Sequence, residues 1–585
     1  MKNLYAIALF LLAFPLIAQN AGTLDNNFGT SGSVTTFSAL EYYPRSIVSE
    51  DYTGNIYAAG QYKNGANTVG VVNKLDFYGN PITSFGVNGA IIVNNHSATY
   101  QNLIKISTTG SEGKFLAQGY YRDLSNVIRF YISAFDSSGA VDTSFGVNGS
   151  LPINKGTTFE LFNGNIYVLT TNSNSKPIIR KFTLSGIEDL TYNFVTSTSS
   201  STISDIDLII ENNGSVLISG NIQLTPNVNR DYIEKHLPTG ATDLSFGING
   251  AYIGVVNYAI ERMNLQKIGV NAGKIVFINK TLVPDSLTPI VTRLNANGTL
   301  DSSFGSGGSF SYAFPFTGNW LDEIEVDSVD NIILCGSKGG ASNQSEMSVM
   351  GLTSNGAFQY LTANDNSVYS ENWTMSKVPN SFLLTFCETW SGFATDTHTC
   401  KVKRYFLKPA VISLIGSAMP NGGNTEIDLS TTDNENYFTN NLNLTPGAIK
   451  FRLDNNWLVN WGAGISNPFP TATATMGKND IIVPDAGIYN ITFNIKTGVY
   501  NFQNNLSVNE FNNIKLSITP NPANSIINIE SEAFILSLKI IDIAGRITLP
   551  IFSNNKIDVS NLASGVYFLE AKTNNGVVTK KFIKS

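Results

Sequence analysis

The stretch GTLDSSFGSGG (Gly298–Gly308) is one of five intact copies of a single frame, G-x5-F-G-x2-G. The others are GTLDNNFGTSG (Gly22–Gly32), GNPITSFGVNG (Gly79–Gly89), GAVDTSFGVNG (Gly139–Gly149) and GATDLSFGING (Gly240–Gly250), and a worn copy runs from Gly186 to Phe194. Repetition at a fixed period decides architecture before any other signal. A second signal interleaves with the first. Short apolar runs follow a turn at Gly54, Gly113, Gly164, Gly214, Gly273, Asp330 and Asn380, at spacings of 59, 51, 50, 59, 57 and 50 residues. Bounded by Gly or Asn, such runs read as buried strands. Most precede another strand, such as Val69–Leu75, Val127–Phe135 or Ile290–Leu294, and then the frame.

Units of about 50 residues with about four short strands each predict a β-propeller. A solenoid is the competing architecture. Seven strand signals imply seven blades over residues 19–407. The first frame precedes the first strand signal, while the last unit ends at Lys401–Phe406 without a frame. A strand from about Gly32 to Phe37 would therefore complete the last blade and remove two open edges.

Within the frame the glycines permit turn conformations closed to other residues. Asp25, Asp142, Asp243 and Asp301 lie three before the Phe, where a carboxylate bonds nearby N–H groups. Phe28, Phe85, Phe145, Phe246 and Phe304 are expected to wedge between blades. A calcium loop is the functional alternative, but each copy offers one carboxylate and no bidentate Glu. The frame resembles the delta-60 repeat of bacterial secreted proteins, clearest at Leu300–Gly308 and Leu24–Gly32. That resemblance implies a propeller-like fold and no assigned activity.

Charged residues are only 14%, aromatics are 11%, and the net charge is −7 with a pI near 5.2. The profile suits turn-rich antiparallel β-structure and offers no basic surface for nucleic acid. Lys2, the apolar stretch Leu4–Ile17 and the small residues Ala13, Ala18 and Ala21 read as a signal peptide over 1–18, cleaved after Ala18. No second long apolar segment follows, so no transmembrane segment is expected in the mature chain. Of three cysteines, Cys387 and Cys400 lie on apolar runs joined by a turn-rich linker. A cross-strand disulfide and three buried thiols, Cys335 included, both fit.

The repeat stops near Pro409. VISLIGSA (Val411–Ala418), GAIKFRLDNNWLVNWG (Gly447–Gly462) and GIYNITFNIKTGVYNF (Gly487–Phe502), with a turn at Lys496–Gly498, read as a small β-sandwich over 408–503. These residues resemble the modules of SusE and SusF, outer-membrane starch-binding proteins, which implies α-glucan or other polysaccharide binding without catalysis. A sugar site needs a flat aromatic and a few donors. Trp457 and Trp461 are candidates for the first; Lys450, Arg452, Asn460 and Lys478 are candidates for the second. Four apart in a strand, the two Trp share a face, and one or both fit equally as core.

After a linker at 504–510, residues 511–585 read as a second sandwich of about seven strands, with a stiff start at Pro520-Asn521-Pro522. Pro520–Ala523, Asp542 through Gly545 and Arg546, Gly565 through Tyr567, and the basic end with Lys580 and Lys581 resemble the C-terminal sorting domain of the type IX secretion system of Bacteroidota. The resemblance implies the type IX machinery as partner and export through the periplasm to the cell surface or medium. No G-x-S-x-G, H-E-x-x-H, phosphate loop or metal-ligand spacing occurs, and His96, His236 and His398 stand alone. No catalytic residue, metal or cofactor is therefore assigned. Acids from different blades, with Glu325 and Asp327 unremarkable among them, could still meet at a propeller channel. The expectation is an all-β, non-enzymatic surface or secreted protein: a seven-bladed propeller platform, a carbohydrate-binding sandwich and a sorting sandwich. A propeller glycosidase or lyase and a structural adhesin without sugar binding are the alternatives.

Overall fold

The computed structural model describes residues 21–585 except 41, 51–52, 66, 94–100, 111–112, 155, 173–175, 195, 197–201, 226–227, 282–289, 313–319, 340–344, 363–368, 379–380, 391–396, 409, 424, 434, 464–468, 506–514 and 575. The leader at 1–18 and residues 506–510 of the linker thus lie outside the described residues. The chain divides into two compact units, Met1–Ala486 with Asn490–Gln503, and Gly487–Tyr489 with Asn504–Ser585.

The first unit opens with seven antiparallel sheets. Their second strands are the apolar runs of the repeat: Ile56–Asn64, Phe115–Arg122, Asn165–Thr171, Val216–Thr225, Ile275–Thr281, Ile332–Gly339 and Phe382–Trp390. Their first strands are Tyr42–Ser49, Gln101–Thr108, Gly156–Phe162, Thr202–Ile210, Tyr258–Leu265, Trp320–Val326 and Tyr369–Val378. These first strands sit side by side in chain order, and the last lies beside the first, so the sheets close into a propeller ring. Among the described residues six sheets have four strands, and the third, where the frame is worn, has three. The ring is locked by the N-terminal strand. Ser33–Leu40 pairs antiparallel with Thr397–Phe406, running slightly past the Phe37 expected from sequence.

The frame joins each blade to the next. Its Phe is buried in every intact copy. The Gly of the next blade's corresponding turn lies on that ring, a frame opener at Gly139 and Gly298 and a turn without the rest of the frame at Gly356: a Cβ there would come within 3.0, 2.9 or 2.7 Å of Phe85, Phe246 or Phe304. All three glycines also have positive φ, so close approach and backbone conformation both require Gly. The Gly after the Phe donates its N–H across the same boundary, from Gly86 to Ser138 O at 3.0 Å and from Gly247 to Asn297 O at 2.7 Å. In the worn copy Tyr192 takes the place of Phe, yet Asn193 keeps the bond, to Thr239 O at 3.2 Å. The frame Asp accepts the N–H two residues on, as in Ser303 to Asp301 at 3.1 Å. It also pairs with a cation: Arg404–Asp25 at 2.7 Å, Arg293–Asp301 at 2.8 Å and Lys114–Asp142 at 3.4 Å.

Cys387 and Cys400 are not joined, and all three cysteines are buried thiols outside any disulfide. Cys387 pairs with Lys401 and Cys400 with Glu388. That one-residue offset puts the two thiols on opposite faces of the sheet, which rules out the cross-strand disulfide.

The sandwich after the propeller has one sheet of six strands and one of five. It is fixed to the propeller by Trp461, whose ring lies edge-on to Phe77 at 5.9 Å and to Phe493 at 5.3 Å, and whose Nε1–H donates to Tyr78 Oη at 2.9 Å. Ser381 Oγ of the last blade donates to Asp454 at 2.6 Å beside it. The C-terminal sandwich has eight strands in two sheets of four, around Ile527, Ile529, Ile540, Leu569 and Phe582. Among the described residues no helix is long and apolar enough to cross a membrane.

Candidate functional site

The strand Asn456–Gly462 separates the two candidate tryptophans. Its register against Gly447–Leu453 runs Phe451↔Trp461 and Arg452↔Asn460 and then jumps to Leu453↔Asn456. The irregularity breaks strict alternation, so Trp457 and Trp461 do not share a face. Trp461 is fully buried and is withdrawn as a sugar contact; it is the seam between sandwich and propeller. Trp457 is 48% exposed. The Arg452 guanidinium lies 4.7 Å from the centre of its ring, a cation–π contact that fixes the indole.

Arg452 is itself buried and paired with Glu426, which also accepts from Ser413 Oγ at 3.3 Å. Asn460 accepts from Lys450 Nζ at 3.0 Å and donates to Trp457 O at 3.0 Å. Lys450 also donates to Lys478 O at 2.6 Å, so Lys478 braces the cluster with its backbone while its side chain is exposed. Five of the six candidates thus form one patch around one exposed indole. Arg452 and Asn460 are committed to supporting it and not to solvent. Glu426 carried no motif and was not legible in the sequence.

The propeller channel holds a second group of polar side chains. Every first strand has a register shift against its neighbour, at Arg45, Ile104, Thr157, Asp205–Ile206, Glu261, Asp322 and Trp373. Bulges re-aim side chains. Just past them Arg262 pairs with Glu323 of the next blade at 3.5 Å, and Lys105 pairs with Glu160. Glu325 pairs with Lys377 at 3.3 Å. Burial pushes the Glu323 carboxyl up to about 7; Arg262 opposes the rise, and the charges of Asp207 and Glu325 add to it. Arg262 responds the other way, since Glu323 foremost, with Asp207 and Glu261, holds its guanidinium charged. Carboxylates of neighbouring blades therefore do converge on the channel, each with a cation from an adjacent blade. Asp327 does not take part: it caps its own hairpin, accepting N–H bonds from Val329 and Asn331 at 2.9 and 2.8 Å.

His236 is buried against Phe194, 4.3 Å between ring centres, at the position held by Leu294 and Leu352 in other copies. His96 and the side chain of His398 lie outside the described residues. Among the described residues no group of three or more His, Cys, Asp or Glu is placed to hold a metal.

The sorting-motif residues come together at one end of the C-terminal sandwich. Asp542 and Arg546 close a hairpin through a 2.6 Å ion pair, with Gly545 at positive φ. Tyr567 stacks on Phe582, ring centres 5.6 Å apart. Asn521 accepts the Ile583 N–H at 2.8 Å, and the Ala523 N–H reaches Ile583 O at 2.8 Å.

Residues 517–585 match the family described as the secretion system C-terminal sorting domain, the sorting tail of type IX secretion. The protein is accordingly an exported one, destined for the cell surface or the medium. No curated protein matches the chain. Among solved structures it is similar to a protein of unknown function from Dyadobacter fermentans, at 10% identity over 64% of this chain and 98% of that one, with a TM-score of 0.35. It is also similar to the β-propeller domain of the Trilobed protease from Pyrococcus furiosus, at 6% identity over 64% and 96% of the two chains, TM-score 0.35. A third is the aldose sugar dehydrogenase of Streptomyces coelicolor, at 11% identity over 63% and 96%, TM-score 0.32.

Proposed function

We propose that this exported protein is a non-enzymatic glycan binder, in which the propeller is a rigid platform and the attached sandwich stacks a sugar ring on Trp457. The observation that carries the reading is the half-exposed indole, held flat by a buried Arg452 on a strand whose other Trp is anchored to the propeller. An exposed aromatic plane matches the apolar face of a pyranose, and the exposed Lys478, tied to the same cluster through Lys450, is the donor offered to ring hydroxyls. The resemblance to SusE and SusF makes α-glucan the first ligand to try. Affinity electrophoresis of the whole chain on starch and a panel of other glycans tests this against Trp457→Ala. Retardation of the native protein alone supports it, and equal mobility of both proteins on every glycan sinks it.

A second reading, a propeller glycosidase or lyase, is favoured by one observation, the Asp207–Arg262–Glu323 group at the channel. A carboxyl that titrates near 7 suits a general acid, and a second carboxylate nearby suits its partner. Release of reducing ends from the same glycans by the native protein, lost in Glu323→Gln, would shift the assignment to catalysis. No release from any of them leaves binding, or a structural adhesin if Trp457 also proves inert.

A further inference from the structure

We infer that the sorting domain is recognised through one apolar face, assembled where its four motifs meet, by a protein of the secretion apparatus whose matching apolar surface is edged with carboxylates. The inference rests on the family match at residues 517–585. The motifs run from Pro520 to Lys584 in sequence, but in the sheet of Ile547–Thr548, Ile535–Asp542, Gly565–Thr573 and Gly576–Lys584 they share one end.

The register shows which side chains face outward there. Ile541 lies opposite both Ile547 and Phe568, Phe568 lies opposite Lys581, and Val566 lies opposite Ile583. Their neighbours along the strands, Ile540, Leu569 and Phe582, are buried in the core, so this row points away from it. Asp542 and Asn521 build the end, while the Arg546 side chain stays exposed at its rim. Asp542 accepts the N–H groups of Ala544 and Arg546 at 2.9 and 3.0 Å, and the turn so held carries Ile543 at its tip, 82% exposed. Asn521 and Ala523 bond the last strand at Ile583 and close that flank.

What the motifs leave outward is Ile541, Ile543, Ile547, Phe568 and Ile583, a contiguous group with Lys581 on its border. The opposite end of the same face is mixed, with Ser537, Lys572 and the Lys539–Glu570 pair at 3.0 Å beside the exposed Val577. Scattered surface apolar residues need no partner, but a contiguous group at the motif end of one sheet marks an interaction site. Lys581, exposed at the edge of that row, calls for acidic groups at the partner's rim.

The test is export of the full chain in a type IX-competent bacterium, scored as surface plus medium against periplasm. Phe568→Lys and Ile543→Lys should each lower the exported fraction at least tenfold, with accumulation in the periplasm and an unchanged melting curve of the purified protein. Lys572→Ala, at the opposite end, should export normally. Normal export of both apolar-face variants overturns the inference. If Phe568→Lys lowers the melting temperature, Ile543→Lys decides alone, since its side chain is 82% exposed. Sedimentation showing a dimer that the variants dissolve while export continues would assign the face to a second copy and also overturn it. Deletion of 511–585 separates the two levels: normal export of that form would remove the sorting role itself.

Discussion

The strongest quantitative prediction concerns ring closure at Asp25. This carboxylate is 1% exposed and meets Arg404 at 2.8 Å to Nε and 2.7 Å to Nη2. The guanidinium is covered by the rings of Phe28, Phe77 and Phe382 at 4.7, 4.4 and 4.5 Å, and it also donates to Phe77 O. Asp25 comes from the segment before the N-terminal strand and Arg404 from the last strand of the seventh blade, so the pair spans the closure of the ring. Asp25→Ala leaves a guanidinium buried with one carbonyl and three rings in place of its counter-charge. Removing one partner of a buried pair costs about 3–5 kcal/mol. Asp142→Ala is the internal control, because the same frame position there faces Lys114 at 3.4 Å with the lysine half-exposed. Its loss should stay at or below about 1 kcal/mol. Equilibrium urea unfolding of the whole chain, followed by tryptophan fluorescence, measures both. The double variant Asp25→Ala/Arg404→Met should recover most of the loss, since no charge is then left uncompensated. A loss at Asp25 no larger than at Asp142, or no recovery in the double variant, would refute the closure argument.

Other expectations follow from the same geometry. Trp461→Ala should lose about 3–5 kcal/mol in urea unfolding, because it empties the packed seam, whereas Trp457→Ala should change stability little and abolish only glycan retardation. Gly139→Ala, with a Cβ forced to 2.5 Å from Ile91, should destabilise more than Gly164→Ala, where φ is also positive but nothing lies within 4 Å; equal losses would show that only φ matters. The raised Glu323 carboxyl has a definite sign. Folding favours its protonated form, so its contribution is full below the unfolded value near 4.5 and is lost as pH rises through about 7. The urea midpoint of Glu323→Gln relative to native should therefore rise between pH 5 and pH 8, and a pH-independent difference would contradict it. Three thiols should titrate with a thiol reagent in denaturant without prior reduction, and almost none in the native protein.

The propeller was legible because its signal is local and repeated. Gly298 and its copies carry both the turn and the surface on which the preceding Phe lies, so chemistry visible within eleven residues is the chemistry that joins blades. Closure was legible for a similar reason, from the offset between frames and strands. The candidate sites were not, and the reason is geometric. Trp457 and Trp461 sit four apart in an apparently regular strand, and only the jump from Arg452↔Asn460 to Leu453↔Asn456 decides that one faces water and the other the propeller. Nothing in DNNWLVNWG announces that jump. The channel group is further out of reach. Asp207, Arg262 and Glu323 are about one blade apart in sequence and meet only because a ring brings successive first strands side by side, and the bulges that aim them carry no shared residue type. Their meeting is a property of closure and not of any segment. The sorting motifs show the converse: Asp542, Gly545, Arg546 and Asn521 were readable as a pattern, yet they build turns and flanks, while the surface they prepare consists of Ile543, Phe568 and Ile583. In this chain recurring residues mark where backbone must bend or approach, and the exposed residues proposed to meet a partner are held in place by them.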